Sequence, residues 1–104
     1  MVLAVLGLNH KTVSVDIREK FSISEESARD GLLHLSEQEG IKEAVVLSTC
    51  NRTEIYAVLK EEEDKEELYH FFLTLSGNSK AEKEYFFFYT GTECIRHLFR
   101  VVSG

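Results

Sequence analysis

Four short runs of apolar and aromatic residues divide the chain, and segments with helical periodicity separate most of them. The runs lie at residues 2–8, 41–48, 53–59 and 85–89. Their length and their content of β-branched and aromatic side chains are typical of strands. Only a tight connection separates the second run from the third, which predicts that these two strands are antiparallel neighbours.

Two amphipathic helices are predicted between these strands, because apolar residues recur there every three or four positions. The first helix begins at Ser22 or Ser24, either of which can act as its N-cap. The second ends at Gly77-Asn78, and its apolar stripe consists of Leu68, Phe71, Phe72 and Leu75. The order β-α-β-β-α-β predicts an α+β sandwich of ferredoxin-like topology, with a four-stranded antiparallel sheet and both helices on one face.

A last helix is predicted to begin near Thr92. Its apolar stripe consists of Ile95, Leu98, Phe99 and Val102. His97 lies about 160° from Ile95 around the helix, so we expect it to face away from this stripe, on the side of Cys94. Cys94 has no motif around it and is expected to be a packing thiol. A histidine on that side is not simply core filler, and an imidazole can exchange a proton near neutral pH.

The composition fits one domain with a substantial core. The chain has 104 residues, of which 43% are hydrophobic, with seven phenylalanines and four tyrosines, and this length suits a single domain. No apolar run is long enough for a transmembrane helix. The apolar N-terminus has no basic residues before it and is interpreted as a strand, not a signal peptide. Two cysteines form no disulfide framework, which favours a reducing cytoplasm.

The charge pattern argues against free-standing nucleic-acid binding. The net charge is −6, the basic residues are scattered, and an acidic run occupies residues 61–67, whereas phosphate contacts need clustered Lys and Arg. No strand is followed by the glycine-rich fingerprint of dinucleotide-binding domains. No closely spaced pair of metal ligands is present. We therefore expect these residues to bind neither a dinucleotide cofactor nor a metal.

The strongest candidate for chemistry is Cys50, which lies where the second apolar run gives way to polar turn residues. A nearby cation such as Arg52 stabilises thiolate over thiol, and the thiolate is the nucleophile. The alternative is that Cys50 is a small buried hydrophobe. Arg52 can pair with a carboxylate through two parallel hydrogen bonds, or it can be an ordinary surface arginine.

Polar residues around this cysteine are further candidates. Ser48, Thr49 and Asn51 can donate hydrogen bonds to a substrate or to a developing oxyanion, and they are also common turn formers. Asn9 and His10 follow the first strand, whose end can approach the Cys50 loop in a ferredoxin-like sheet. They would then help to shape the site, or simply cap a loop.

Three separated motifs resemble those of the glutamyl-tRNA reductase family. They are STCNRTEIY at 48–56, GLNHKT at 7–12 and RHLFRVVSG at 96–104, and together they span nearly the whole chain in the order that the family has. The family often carries Ala-Pro where this chain has Val13-Ser14, a difference that affects only the local turn. The resemblance implies the N-terminal catalytic domain of that family and the same α+β architecture.

The resemblance also implies a reaction. The thiolate of Cys50 would attack the ester of glutamyl-tRNA(Glu) and form a glutamyl thioester. NADPH would then reduce it to glutamate-1-semialdehyde, the first step of tetrapyrrole biosynthesis by the C5 pathway. His97 would act as acid or base, or position the ester. Arg52, Ser48, Thr49 and Asn51 would bind the glutamyl group, with Asn9 and His10 as site-shaping residues.

The family's domain organisation implies further expectations. Residues 1–91 would form the catalytic domain, and residues 92–104 would begin a helix that leads to NADPH-binding and dimerisation domains absent from this chain. NADPH would be bound there, the full enzyme would be a cytoplasmic homodimer, and it would contact glutamate-1-semialdehyde aminomutase.

Two readings from other classes remain open on the residues alone. RNA-binding domains of the RRM type share the β-α-β-β-α-β order, and the aromatic fourth strand suits them. Their Lys/Arg-Gly-Phe strand motif is missing here, however, and the charge is acidic. A regulatory or oligomerisation module without catalysis is the other reading, and an unreactive Cys50 would favour it.

Overall fold

The structure is a computed structural model that describes residues 1–104 and contains four strands and four α-helices. The strands are β1 (Val2–Asn9), β2 (Ile41–Ser48), β3 (Arg52–Leu59) and β4 (Phe87–Thr90). The helices are α1 (Val15–Lys20), α2 (Glu25–Leu33), α3 (Lys65–Ser76) and α4 (Gly91–Val102). Single turns of 3₁₀ helix occupy Leu35–Glu37, Glu62–Asp64 and Lys83–Tyr85. None of the helices is long and apolar enough to cross a membrane.

The four strands form one sheet in the order β2-β3-β1-β4, and each neighbouring pair is antiparallel. This confirms the predicted ferredoxin-like sheet, including the pairing of β2 with β3 across a short hairpin. In the register of the central strand, Gly7 lies opposite Glu54 of β3 on one side and opposite Phe87 of β4 on the other. These three residues therefore form a row across the sheet.

The two faces of the sheet are covered differently. Alternate residues of β1, Ala4, Leu6 and Leu8, belong to a buried cluster that includes the apolar face of α3. Val5 is equally buried but lies outside this cluster, because successive side chains of a strand point to opposite faces. Helix α4 contacts β1 and β4 and covers the second face.

Two helix ends follow the sequence signals, whereas α2 ends at Leu33 and does not extend to the glycine at position 40. Ser24, and not Ser22, is the N-cap of α2, because its hydroxyl oxygen accepts a hydrogen bond from the Ser27 amide at 3.0 Å. Helix α3 ends at Gly77 with φ +72°, a left-handed conformation that favours glycine. The predicted stripe of α3 is buried as expected.

The aromatic run before α4 pairs with the sheet over a shorter and later segment than 85–89. The backbone ladder of β4 begins at Phe87, while Tyr85 ends a turn of 3₁₀ helix. Phe86 instead packs its ring edge-on against Phe72 and Tyr69 of α3, with centroids 5.1 and 5.3 Å apart. Side-chain packing, not strand pairing, holds this part of the run.

Helix α4 buries the face opposite to its apolar stripe, so His97 faces away from the stripe and Cys94 is a packing thiol, as expected from the sequence. The helix begins at Gly91, one residue before Thr92, and its buried residues are Cys94 and His97. The stripe is 39–70% exposed and comprises Ile95, Leu98, Phe99 and Val102. The sheet under α4 carries the buried carboxylate of Glu54, and His97 pairs with it. A polar partner thus decides which side of α4 faces the sheet.

Candidate active site

Cys50 lies in the short loop that joins β2 to β3, and its side chain is exposed. The Thr49 amide donates to the Arg52 carbonyl at 2.8 Å and closes the hairpin. The Thr49 hydroxyl accepts hydrogen bonds from the amides of Asn51 at 3.2 Å and Arg52 at 3.3 Å. The Thr49 side chain therefore organises the turn that presents the thiol.

The hairpin loop is tied to the segment that contains α1 and the start of α2. Arg18 of α1 donates through Nε to the Cys50 carbonyl at 3.4 Å and through Nη1 to the Val13 carbonyl at 2.9 Å. The Ser48 hydroxyl accepts a hydrogen bond from the Ile23 amide at 3.1 Å. A cation 32 positions away in the sequence is thus placed beside the Cys50 backbone, a contact that no local sequence signal indicates.

Three alternate residues of β3 carry polar groups on the face that α4 covers: Arg52, Glu54 and Tyr56. Arg52 donates through Nη1 to Oε2 of Glu54 at 3.1 Å, and the Tyr56 hydroxyl donates to Oε1 at 2.8 Å. Glu54 itself has no exposed surface. Burial raises the pKa of Tyr56, and its hydrogen bond to Glu54 raises it further, so Tyr56 stays a neutral donor across the physiological range.

His97 of α4 completes this cluster. Its Nε2 lies 2.8 Å from Oε2 of Glu54, the same oxygen that Arg52 contacts. The imidazole lies between two aromatic rings of β4, with centroids 4.8 Å away for Phe87 and 5.4 Å away for Tyr89. A carboxylate can only accept hydrogen bonds, so in a pair with the Glu54 carboxylate Nε2 is the donor.

The second ring nitrogen of His97, Nδ1, makes no hydrogen bond within the chain. Every fully buried side-chain nitrogen or oxygen of the chain has a partner. Nδ1 is therefore not fully buried and can be reached by solvent or by a ligand. Such a nitrogen can accept or deliver a proton, while the Nε2 side stays fixed.

A cavity of about 400 Å³ opens beside this cluster. Its lining includes the side chains of Arg52, Arg100, Lys11 and His97, and no aspartate or glutamate belongs to it. We call it the cationic cavity. Its charge suits an anionic group such as a carboxylate.

The structure brings together four of the residues singled out from the sequence and leaves four on the adjacent loop. Arg52 and His97 line the cationic cavity together with Asn9 and His10. The Asn9 side chain accepts from the Lys11 amide at 2.8 Å and so also shapes the turn after β1. The other four do not line the cavity: Ser48, Thr49, Cys50 and Asn51.

Sequence reasoning missed Glu54 and Tyr56 as functional candidates, although both lie within the Cys50 motif. A signal was present, because a glutamate between Thr53 and Ile55 in an apolar strand must either face solvent or be buried with partners. The alternation with Arg52 then places its first partner on the same face. The contact with His97, 43 positions away, has no local signature.

Cys50 should be alkylated well before Cys94. Cys50 is exposed, whereas Cys94 is buried at 1% exposure. Burial raises the pKa of the Cys94 thiol, and the nearby Glu54 carboxylate raises it further, so this thiol is both shielded and protonated. Brief iodoacetamide treatment followed by peptide mass spectrometry should find the label on Cys50. Equal labelling of the two thiols would contradict the placement of Cys94 against the sheet.

No group of three or more His, Cys, Asp or Glu side chains lies close enough together to hold a metal ion. The sheet is antiparallel throughout, whereas dinucleotide-binding domains use a parallel sheet with a glycine-rich turn between a strand and a helix N-terminus. The groups that the site presents are a thiol, an imidazole and a cationic cavity.

Comparison with known proteins assigns this arrangement to a family. Residues 6–104 match the family model described as "Glutamyl-tRNAGlu reductase, N-terminal domain". The chain is 44% identical over 105 residues to glutamyl-tRNA reductase from Desulforudis audaxviator, and 42% identical over 106 residues to that from Synechocystis. Each alignment covers the whole of this chain and about a quarter of the relative, 24% and 25% respectively.

A solved structure shares the fold as well. Glutamyl-tRNA reductase from Methanopyrus kandleri superposes with a TM-score of 0.71 at 30% sequence identity, over 98% of this chain and 22% of that one. Sequence and structure therefore agree over the sheet, the Cys50 loop and α4. This chain belongs to the glutamyl-tRNA reductase N-terminal domain family.

Proposed function

We propose that this chain is the catalytic domain of an NADPH-dependent glutamyl-tRNA reductase, which makes glutamate-1-semialdehyde for tetrapyrrole biosynthesis by the C5 pathway. The observation that carries the proposal is the placement of an exposed thiol, Cys50, two residues before Arg52, which lines a cationic cavity together with His97. A nucleophile and a carboxylate-binding group are thus adjacent on one hairpin.

The first step follows from these groups. The thiolate of Cys50 attacks the carbonyl carbon of the glutamyl ester, the carbon–oxygen bond to the tRNA breaks, and a glutamyl thioester forms on the sulfur. The departing tRNA oxygen needs a proton, and Nδ1 of His97 can deliver it when the ring is protonated. The side-chain carboxylate of the glutamyl group pairs with Arg52 in the cationic cavity.

The remaining predicted residues have supporting parts in this proposal. The amides and hydroxyls of the Cys50 loop, including those of Ser48, Thr49 and Asn51, would bind the reacting ester. Asn9 and His10 would shape the wall of the cavity. Residues 1–91 would form the catalytic domain, and α4 would begin the connection to the domains that follow it in relatives.

Reduction of the thioester needs a hydride donor, and the residues of this chain do not fit one. NADPH would therefore bind outside them, in a separate domain of the enzyme. Because the chain spans about a quarter of the length of the curated relatives, the homodimer and the contact with glutamate-1-semialdehyde aminomutase are proposals for the complete enzyme. Two unpaired cysteines are in keeping with a cytoplasmic location.

Trapping the thioester tests the proposal directly. The protein is incubated with glutamyl-tRNA without NADPH, quenched in acid and digested for mass spectrometry. We expect a glutamyl adduct on the Cys50 peptide in the native protein and in Cys94→Ala. Cys50→Ala should release no tRNA and carry no adduct. An adduct that persists in Cys50→Ala, or that forms on Cys94, would reject Cys50 as the nucleophile.

A further inference from the structure

Glu54 is the most deeply buried charged residue of the chain, with 0% exposure. A buried carboxylate is strongly unfavourable unless it is paired and hydrogen-bonded. Here both oxygens are satisfied: Oε2 by Arg52 and His97, and Oε1 by the Tyr56 hydroxyl. The two groups on Oε2, Arg52 and His97, both line the cationic cavity and would both touch substrate in the proposed site.

The neighbouring strand β1 leaves room for this side chain at Gly7. A Cβ at Gly7 would lie 2.8 Å from Cγ of Glu54 and 3.0 Å from Cζ of Phe87. The φ angle of Gly7 is not positive, so its backbone conformation does not require glycine. The aliphatic part of the Glu54 side chain therefore occupies the space above Gly7. This packing contact is a second observation on Glu54, separate from the hydrogen bonds of its carboxylate.

We infer that Glu54 is a positioning residue that fixes the tautomer of His97 and the orientation of the Arg52 guanidinium through one shared oxygen. The effect of Glu54 on catalysis rests on the proposed function. Its effect on the tautomer of His97 and on the orientation of Arg52 does not depend on that function.

For His97, the consequence is a defined tautomer. Holding the Nε2 proton on Glu54 leaves Nδ1 as the free nitrogen of the neutral ring. A carboxylate behind a histidine sets tautomer and ring orientation in this way in other sites. Without it, both tautomers would be populated, and the ring could turn between Phe87 and Tyr89.

For Arg52, the consequence is an open edge. Of its side-chain nitrogens, only Nη1 makes a hydrogen bond within the chain. The edge formed by Nε and Nη2 is therefore available for a bidentate pair with a carboxylate. The Arg52 side chain is 21% exposed, which fits a guanidinium that pairs with Glu54 at one nitrogen and faces the cavity with the others.

The test uses Glu54→Gln, which keeps the size of the side chain and removes its charge. Glu26→Gln is the matched control, because Glu26 is an exposed residue of α2 with no part in the site. The first readout is the tautomer of His97, measured from ¹⁵N chemical shifts and long-range ¹H–¹⁵N correlations. The second readout is the rate of thioester formation with glutamyl-tRNA.

In the native protein and in Glu26→Gln, neutral His97 should carry its proton on Nε2 alone. In Glu54→Gln, we expect mixed tautomers and thioester formation slowed by about 10- to 100-fold, the loss usual for residues that orient a functional histidine. A single Nε2–H tautomer that persists in Glu54→Gln would overturn the inference.

The measurement on the native protein alone keeps the inference falsifiable even where Glu54→Gln fails to fold. A native His97 protonated mainly on Nδ1 would overturn it. Failure of the proposed function looks different: the native protein would then form no thioester, while the tautomer of His97 would still respond to the charge of Glu54.

Discussion

Replacing Arg52 with glutamine will slow the reaction of Cys50 with glutamyl-tRNA and reduce the preference for glutamyl over glutaminyl substrate. A carboxylate opposite the guanidinium gains a charge-assisted pair, whereas an amide leaves the cation without a counter-charge. Loss of such a pair typically costs about 2–5 kcal/mol when it is buried. No aspartate or glutamate lines the cationic cavity, so no acidic side chain there competes with the substrate for Arg52.

The measurement is the rate of thioester formation with both charged tRNAs for each variant. Arg52→Lys keeps the charge but loses the planar fork, so it should fall between the native protein and Arg52→Gln. Arg29→Gln is the control, because Arg29 is an exposed residue of α2 that pairs only with Glu25. An unchanged preference for glutamyl over glutaminyl substrate in Arg52→Gln would mean that other residues bind the substrate carboxylate. Arg52 would then only pair with Glu54.

Gly7→Ala should destabilise the protein and disturb the site at the same time. The new Cβ would lie 2.8 Å from both Cγ of Glu54 and the Thr53 carbonyl oxygen. The carbonyl is part of the sheet and cannot move aside, so strand and side chain must both shift. Overpacking of this kind costs about 1–3 kcal/mol in a well-packed interior. Chemical denaturation measures the loss, and the His97 spectrum reports the displacement of Glu54.

Gly77→Ala is the control that separates a loss of stability from a displacement of Glu54. Nothing lies within 4 Å of the Cβ it would add, but its φ of +72° is unfavourable for alanine, which costs about 1–2 kcal/mol. Gly77→Ala should therefore lower the free energy of unfolding and leave the His97 spectrum unchanged. A Gly7→Ala protein with native stability and a native His97 spectrum would contradict the close packing of Gly7 against Glu54 and Phe87.

The sequence predicted the elements of this fold well because strands and helices leave periodic signals. The stripe of α3, its glycine stop and the β2–β3 hairpin all follow from residues close together in the chain. The orientation of α4 did not follow, because periodicity shows which residues share a face but not which face meets the sheet. That choice depends on Glu54, a residue of another strand, whose contact with His97 links positions 43 residues apart.

In the candidate site too, some features follow from the local sequence and others depend on residues distant in the chain. Cys50 and Arg52 could be proposed from local chemistry, and His97 from a family motif. The roles of Ser48, Thr49 and Asn51 in binding remain predictions, although the hydroxyls of Ser48 and Thr49 already accept hydrogen bonds from backbone amides. The contact of Arg18 with the Cys50 loop and the burial of Glu54 depend on tertiary packing, which no single segment encodes.

The alternation along β3 has a consequence for which changes in length the chain can accept. Ile55, Ala57 and Leu59 belong to the apolar core. On the other face, Arg52 and Tyr56 donate hydrogen bonds to Glu54. Inserting or deleting one residue here would exchange the two sets, because the side-chain period of a strand is two. It would turn a carboxylate into the core and apolar groups toward α4. Substitutions within β3 act one residue at a time, but an insertion or deletion would dismantle core and site together.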